Sequence, residues 1–139
     1  MTDVNEHSVK NVILQTVFRF FPDARAVYLF GSFGTEYERP DSDIDLAILL
    51  PPSTVNRSNF EACRTAVEEI TGRYVDLIDL GHADAVFRFE IVLTGRLLTP
   101  VTDDVCAFEM LAMSLYQKLN EERAGILSDI MEKGVVLSR

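Results

Sequence analysis

Asp43 and Asp45 flank Ile44 in Asp43-Ile44-Asp45-Leu46, with ten residues between Asp43 and a preceding Gly31-Ser32 pair. In an extended strand alternate side chains share a face, so the two acids project together while Ile44, Leu46 and Ile48 point the other way, into a core. Two carboxylates held side by side repel unless a cation lies between them. Mg²⁺ suits such a pair, because it takes a few carboxylate oxygens and fills its shell with water and phosphate; Mn²⁺ accepts the same oxygen-rich ligands. Gly31-Ser32 follows directly on the apolar run Ala26-Val27-Tyr28-Leu29-Phe30. Glycine there lets a ligand approach the backbone closely, and the N–H groups and hydroxyl of such a turn suit phosphate oxygens. Alone, an Asp-x-Asp is as readily a solvated strand end, and Gly-Ser is a commonplace turn. Together, at this spacing, they point to metal-assisted chemistry on a phosphate ester.

Helical periodicity in Val9, Val12, Ile13, Val17 and Phe20 opens the chain and stops at Pro22. The run 26–30 predicts a first strand, residues 33–42 a polar loop, and 43–50 a second strand closed by Pro51-Pro52. A helix over 59–71 ends at Gly72, a third strand covers 73–80, and a helix over 83–93 is capped by Gly95. Arg96-Leu97-Leu98 forms a short edge strand, and Thr102-Asp103-Asp104 starts a long terminal helix running toward Lys133-Gly134. This order predicts an α+β fold: a small mixed β-sheet with helices packed on it and a long C-terminal helix. A doubly wound dinucleotide fold is disfavoured, since no Gly-x-Gly-x-x-Gly follows the first strand.

The Gly31-Ser32-x10-Asp43-x-Asp45 pattern resembles the signature of the DNA polymerase β-type nucleotidyltransferase superfamily, and most closely its minimal single-domain (MNT) branch. The resemblance spans residues 26 to about 98. It implies the nucleotidyltransferase fold, with Gly31 and Ser32 at the triphosphate, Asp43 and Asp45 binding metal, and a third acid from a later strand. Asp76 and Asp79 are available there, on opposite faces. The family pattern sets its acid before an apolar pair, as in Val75-Asp76-Leu77, which favours Asp76; Asp79 reads as a turn acid ahead of Gly81. Catalysis and metal binding thus fall to Asp43, Asp45 and Asp76, with two Mg²⁺ ions and ATP as the nucleotide. Members of the branch usually carry an Arg-Gly pair shortly after Gly-Ser. Here Gly34-Thr35-Glu36-Tyr37 intervene, which leaves Arg39, Arg25 or Lys10, or no residue at all, as the cation at the triphosphate; Arg39, inside the motif loop, is the expected nucleotide contact. His7, Tyr37, His82 and Arg88 read more simply as surface or structural residues.

The length of 139 residues fits one folding unit, divided here into a transferase domain over 1–100 and a helical tail over 101–139. Apolar residues are 47% and charged residues 25%, which excludes disordered and low-complexity classes. The net charge of −9 argues against direct nucleic-acid binding, which needs clustered Lys and Arg. It suits a cationic substrate, a basic protein partner or bound divalent metal. Cys63 and Cys106 are too few for a disulfide framework and read as buried thiols. The polar, acidic start and the lack of any apolar run of about 20 residues predict a cytoplasmic protein.

In the terminal helix Val105, Phe108, Ala112, Leu115 and Leu119 form one stripe, and Met110, Met113 and Tyr116 lie outside it. A helix apolar this far round is buried on more than one side, so it predicts a partner surface. The family resemblance implies the partner: antitoxins of HEPN/MNT toxin–antitoxin pairs transfer AMP from ATP to a tyrosine of a small helical HEPN-domain ribonuclease toxin and silence it. A nucleotidyltransferase acting on an aminoglycoside-like small molecule is the alternative, and a non-catalytic neutralising module the third reading.

Overall fold

The structure, a computed structural model, describes residues 2–52 and 57–133. Its elements are α1 (Thr2–Phe20), β1 (Ala26–Phe30), β2 (Ile44–Leu49), α2 (Arg57–Thr71), β3 (Val75–Asp79), α3 (Ala85–Thr94), β4 (Arg96–Leu97) and α4 (Asp103–Lys133). A 3-10 turn over Leu80–His82, absent from the expected order, links β3 to α3. Residues 134–139 of the expected tail and the side chain of His7 lie outside the described residues.

The strands form one mixed sheet in the order β3-β2-β1-β4. β1 pairs antiparallel with both β2 and β4, while β2 and β3 run parallel through the α2 crossover. Strand alternation sorts the side chains into two cores. Val27 and Leu29 of β1 and Ile44, Leu46 and Ile48 of β2 meet Ile13, Val17, Cys63 and Val67 of α1 and α2. On the other face Ala26, Tyr28, Ala47 and Leu49 meet Leu80, Ile91 of α3 and Val105 of α4. Asp45 belongs to this second face by alternation with Ala47 and Leu49.

The helix ends follow local chemistry. Asp84 accepts from the Phe87 N–H at 2.8 Å to start α3, and the Gly95 N–H closes it on the Ile91 carbonyl. The Thr102 hydroxyl accepts from the Val105 N–H at 3.3 Å at the head of α4. The Tyr28 hydroxyl donates to Glu109 at 2.7 Å, pinning α4 to β1. Burial first, and the Glu109 carboxylate second, hold the Tyr28 phenol well above its ordinary pKa.

Only part of the stripe on α4 is covered. Val105 and Ala112 are buried and Phe108 is half-buried, whereas Leu115 is already solvent-exposed. Cys106 corrects the reading of two buried thiols. It is exposed, because one residue along a helix turns a side chain by about 100° and so carries it off the face that Val105 buries. Cys63 is fully buried, which pushes its thiol up to about 11. A thiol reagent at neutral pH is therefore expected to label one cysteine in the native protein, Cys106, and Cys63 only after denaturation; fast native labelling of both would contradict this packing.

Candidate functional site

Parallel pairing of β2 and β3 sets Asp45 directly beside Asp76, and Ile44 beside Val75. Residues opposite one another in a sheet share a face, so the two carboxylates are neighbours. Asp43 lies just before β2, exposed, two residues from Asp45 and on the same side. The electrostatics agree. Burial raises the Asp45 carboxyl above the usual carboxylate range, and the charges of Asp76 and then Asp43 raise it further. The acids therefore lie close enough to feel one another. Among the described residues, however, no three acidic, His or Cys side chains already form a metal cage. The donor set is all carboxylate oxygen, and its mutual repulsion is what a hard divalent cation relieves, so the residues fit Mg²⁺.

The glycine turn reaches this cluster. Phe30, the last residue of β1, pairs with Asp45, and Gly31 follows with φ +78°. A Cβ on Gly31 would collide with Asp45 Oδ2. Only glycine permits that contact, and it brings the Gly31-Ser32 turn against the acids.

The loop behind the turn is tied by residues that sequence reasoning passed over. Ser42 is buried; its hydroxyl lies 3.1 Å from the Ser32 hydroxyl and accepts from the Arg39 N–H at 2.7 Å. Arg73 donates to the carbonyls of Ser42 at 3.0 Å and Arg39 at 3.3 Å, pairs with Glu38 at 3.1 Å, and lies over the Phe33 ring. Glu38 in turn accepts from the Gly34 N–H at 2.7 Å. Arg96 donates to the carbonyls of Phe33 at 2.6 Å and Gly31 at 3.3 Å. These arginines stand 31 and 63 residues beyond Ser42 and Phe33, whose carbonyls they hold, so no local pattern marks them. The clearest available signal was Arg96 directly after a helix-ending glycine.

The other expected candidates separate. Arg39 is exposed on the loop, beside the turn in sequence but held there by its backbone. Arg25 does not reach the turn: it precedes β1 at the opposite end of the sheet and pairs with Asp104 at 3.7 Å. Lys10 belongs to α1, which packs on the face away from Asp45. Asp79 points off the acid face; it accepts from the Gly81 N–H at 3.1 Å and lies 2.7 Å from His82 Nδ1, the turn role expected of it. Arg88 holds the same turn through the Leu80 and Gly81 carbonyls. A cleft of about 550 Å³ between α1, α2 and the loop is lined by Val9, Val12, Phe33 and Ile70. It contains none of the three acids, so that cleft is not the acidic site.

A stability test follows from the raised Asp45 carboxyl. A group whose folded pKa lies above its unfolded value of about 3.9 favours the fold fully below that value and loses this contribution as pH rises through the folded pKa. The metal-free protein is thus expected to lose melting temperature as pH climbs out of the carboxylate range. Mg²⁺ should restore it at neutral pH, and Asp45→Asn should remove most of both effects. Melting curves in chelator and in Mg²⁺ check this; no Mg²⁺ response in the native protein would contradict it.

The chain belongs to the polymerase beta nucleotidyltransferase family, whose model matches residues 13–103. Over 131 residues it is 29% identical to protein adenylyltransferase MntA of Shewanella oneidensis, covering 94% of this chain and 91% of that protein. It is also similar to the solved structure of a toxin–antitoxin with AMP-PNP, at TM-score 0.75 and 30% identity over 88% of this chain and 98% of that one. A second similar structure is the MNT antitoxin in complex with a tri-AMPylated Shewanella oneidensis HEPN toxin. It matches at TM-score 0.73 and 28% identity, over 91% of this chain and 98% of that one.

Proposed function

We propose that this chain is an antitoxin-type protein adenylyltransferase that moves AMP from ATP onto a tyrosine hydroxyl of a cognate HEPN ribonuclease toxin and thereby neutralises it. The observation that carries the reading is the convergence of three motif parts: Asp45 beside Asp76 across β2 and β3, with Gly31 packed against Asp45. Its likeness to adenylyltransferase MntA along nearly the whole chain supports the choice of reaction.

In this reading the N–H groups and hydroxyl of Gly31-Ser32 hold the β- and γ-phosphates, with Arg39 as a further nucleotide contact. Asp43, Asp45 and Asp76 would hold the Mg²⁺ ions. When bound, such ions would supply positive charge that offsets the phosphates and the developing charge on the reacting oxygens. The phenolic oxygen of the acceptor attacks the α-phosphorus in line. The bond from that phosphorus to the bridging oxygen breaks, pyrophosphate leaves, and Asp76 takes the phenolic proton. The protein's share is positioning and charge, since such transfer needs little covalent help.

In this reading residues 1–100 are the transferase domain that carries the chemistry, and the helical tail that follows packs both on it and on the partner. α4 has 31 residues, roughly 45 Å at 1.5 Å per residue. Beyond the part that Val105 and Ala112 anchor, several large apolar side chains stay open: Ile126 is 60% exposed, and Met131 80%. Such a length of uncovered apolar helix suits a helical protein partner. No helix among the described residues is long and apolar enough to cross a membrane, and the site of action proposed is the cytoplasm.

The test is to incubate the purified chain with Mg²⁺ and ATP labelled at the α-phosphate, with and without the HEPN protein encoded beside it. Label on a tyrosine of that protein, with loss of its ribonuclease activity, is the expected result. Label on an aminoglycoside but not on the protein, or a stable unlabelled complex, would overturn it.

A further inference from the structure

We propose that Arg96 is the positioning residue of the phosphate turn and supplies a cation behind it. This rests on the nucleotide-transfer reading of the site. Arg96 sits on β4, the edge strand beside β1, and its guanidinium donates to two carbonyls of the turn, Gly31 and Phe33. A third turn carbonyl, Ser32, is occupied by the Thr35 N–H and hydroxyl. The peptides here are trans, so each N–H points opposite its own carbonyl. Tying the carbonyls of Gly31 and Ser32 therefore turns the N–H groups of Ser32 and Phe33 away from those ties. Neither of those N–H groups has a protein acceptor among the described residues. Two adjacent outward N–H groups with a cation behind them form an anion cradle.

The charge balance points the same way. Among the described residues no carboxylate pairs with Arg96, and its Nε is buried without a partner. A half-buried guanidinium satisfied only by carbonyls leaves its positive charge uncompensated. The other arginine of the loop differs, because Arg73 is neutralised by Glu38. Arg96 thus contributes field as well as geometry, and it polarises the two peptides so that they bind the β- and γ-phosphates more tightly.

The decisive readout compares nucleotides that differ only in those phosphates. ATP and AMP binding are measured by calorimetry in Mg²⁺ for the native chain, Arg96→Met and Arg96→Lys. The expected result is an ATP affinity about tenfold weaker in Arg96→Met, with AMP affinity unchanged within about twofold. Arg96→Lys, which keeps charge but loses the two-carbonyl fork, should fall between. A purely structural role would weaken both nucleotides together, and that result, or no change in ATP binding, overturns the assignment. If Arg96→Met does not fold, the Lys variant alone decides by the same ATP-to-AMP comparison. Failure of the native chain to bind ATP more tightly than AMP would instead defeat the transfer reading itself.

Discussion

Replacing Asp45 by Asn is expected to lower AMP transfer by at least about a thousandfold while leaving the fold intact or slightly firmer. Asp45 sits between the other two acids, with Asp76 across the sheet and Asp43 two residues back, and its carboxyl is the one their charges disturb. Asn keeps its shape and removes the charge. The metal-free fold then sheds a repulsion, whereas the nucleotide-bound cation loses a central ligand. Asp43→Asn should be comparably inactive, because the exposed Asp43 has no part in either core and serves only the site. Transfer assays with labelled ATP, paired with melting curves of the same samples, separate loss of chemistry from loss of structure. Near-native transfer by both variants would sink the assignment of the acids.

Gly31→Ala is expected to abolish transfer too, but by a different route. The backbone at Gly31 has φ +78°, a region costly to any residue with a Cβ, and the added methyl would overlap Asp45 Oδ2. Either the turn or the acid must move, and both belong to the site. Gly72→Ala provides the control. Gly72 has φ +71° at the end of α2, yet nothing lies within 4 Å of a Cβ there. Both variants should lose about 1–2 kcal/mol of stability from the backbone alone. Gly72→Ala should retain transfer activity, while Gly31→Ala should lose at least about a hundredfold. Equal activity in the two variants would show that contact between the turn and Asp45 is unimportant.

The acids at the head of β2 were legible because strand alternation is a local rule: Asp43 and Asp45 share a face, and Ile44, Leu46 and Ile48 enter the core. Asp76 could be chosen over Asp79 on the family pattern. Its placement beside Asp45 became visible only with the parallel register, since a one-residue slip would have turned it away. The cation at the turn was left open among Arg39, Arg25, Lys10 or none, with Arg39 expected; the sheet carries Arg25 to its far end, where it meets Asp104. Cys106 was read as buried because an apolar helical pattern records which residues are apolar, not how far the sheet extends beneath them.

Sequence alone therefore determined the elements, their order, the two-acid strand and the glycine turn, because periodicity and backbone sterics act over a few residues. Tertiary structure decided which distant side chains meet that turn. Arg73 and Arg96 reach it across 31 and 63 residues, from α2's exit and from an edge strand. Such contacts depend on strand order and register, which no window of the chain contains.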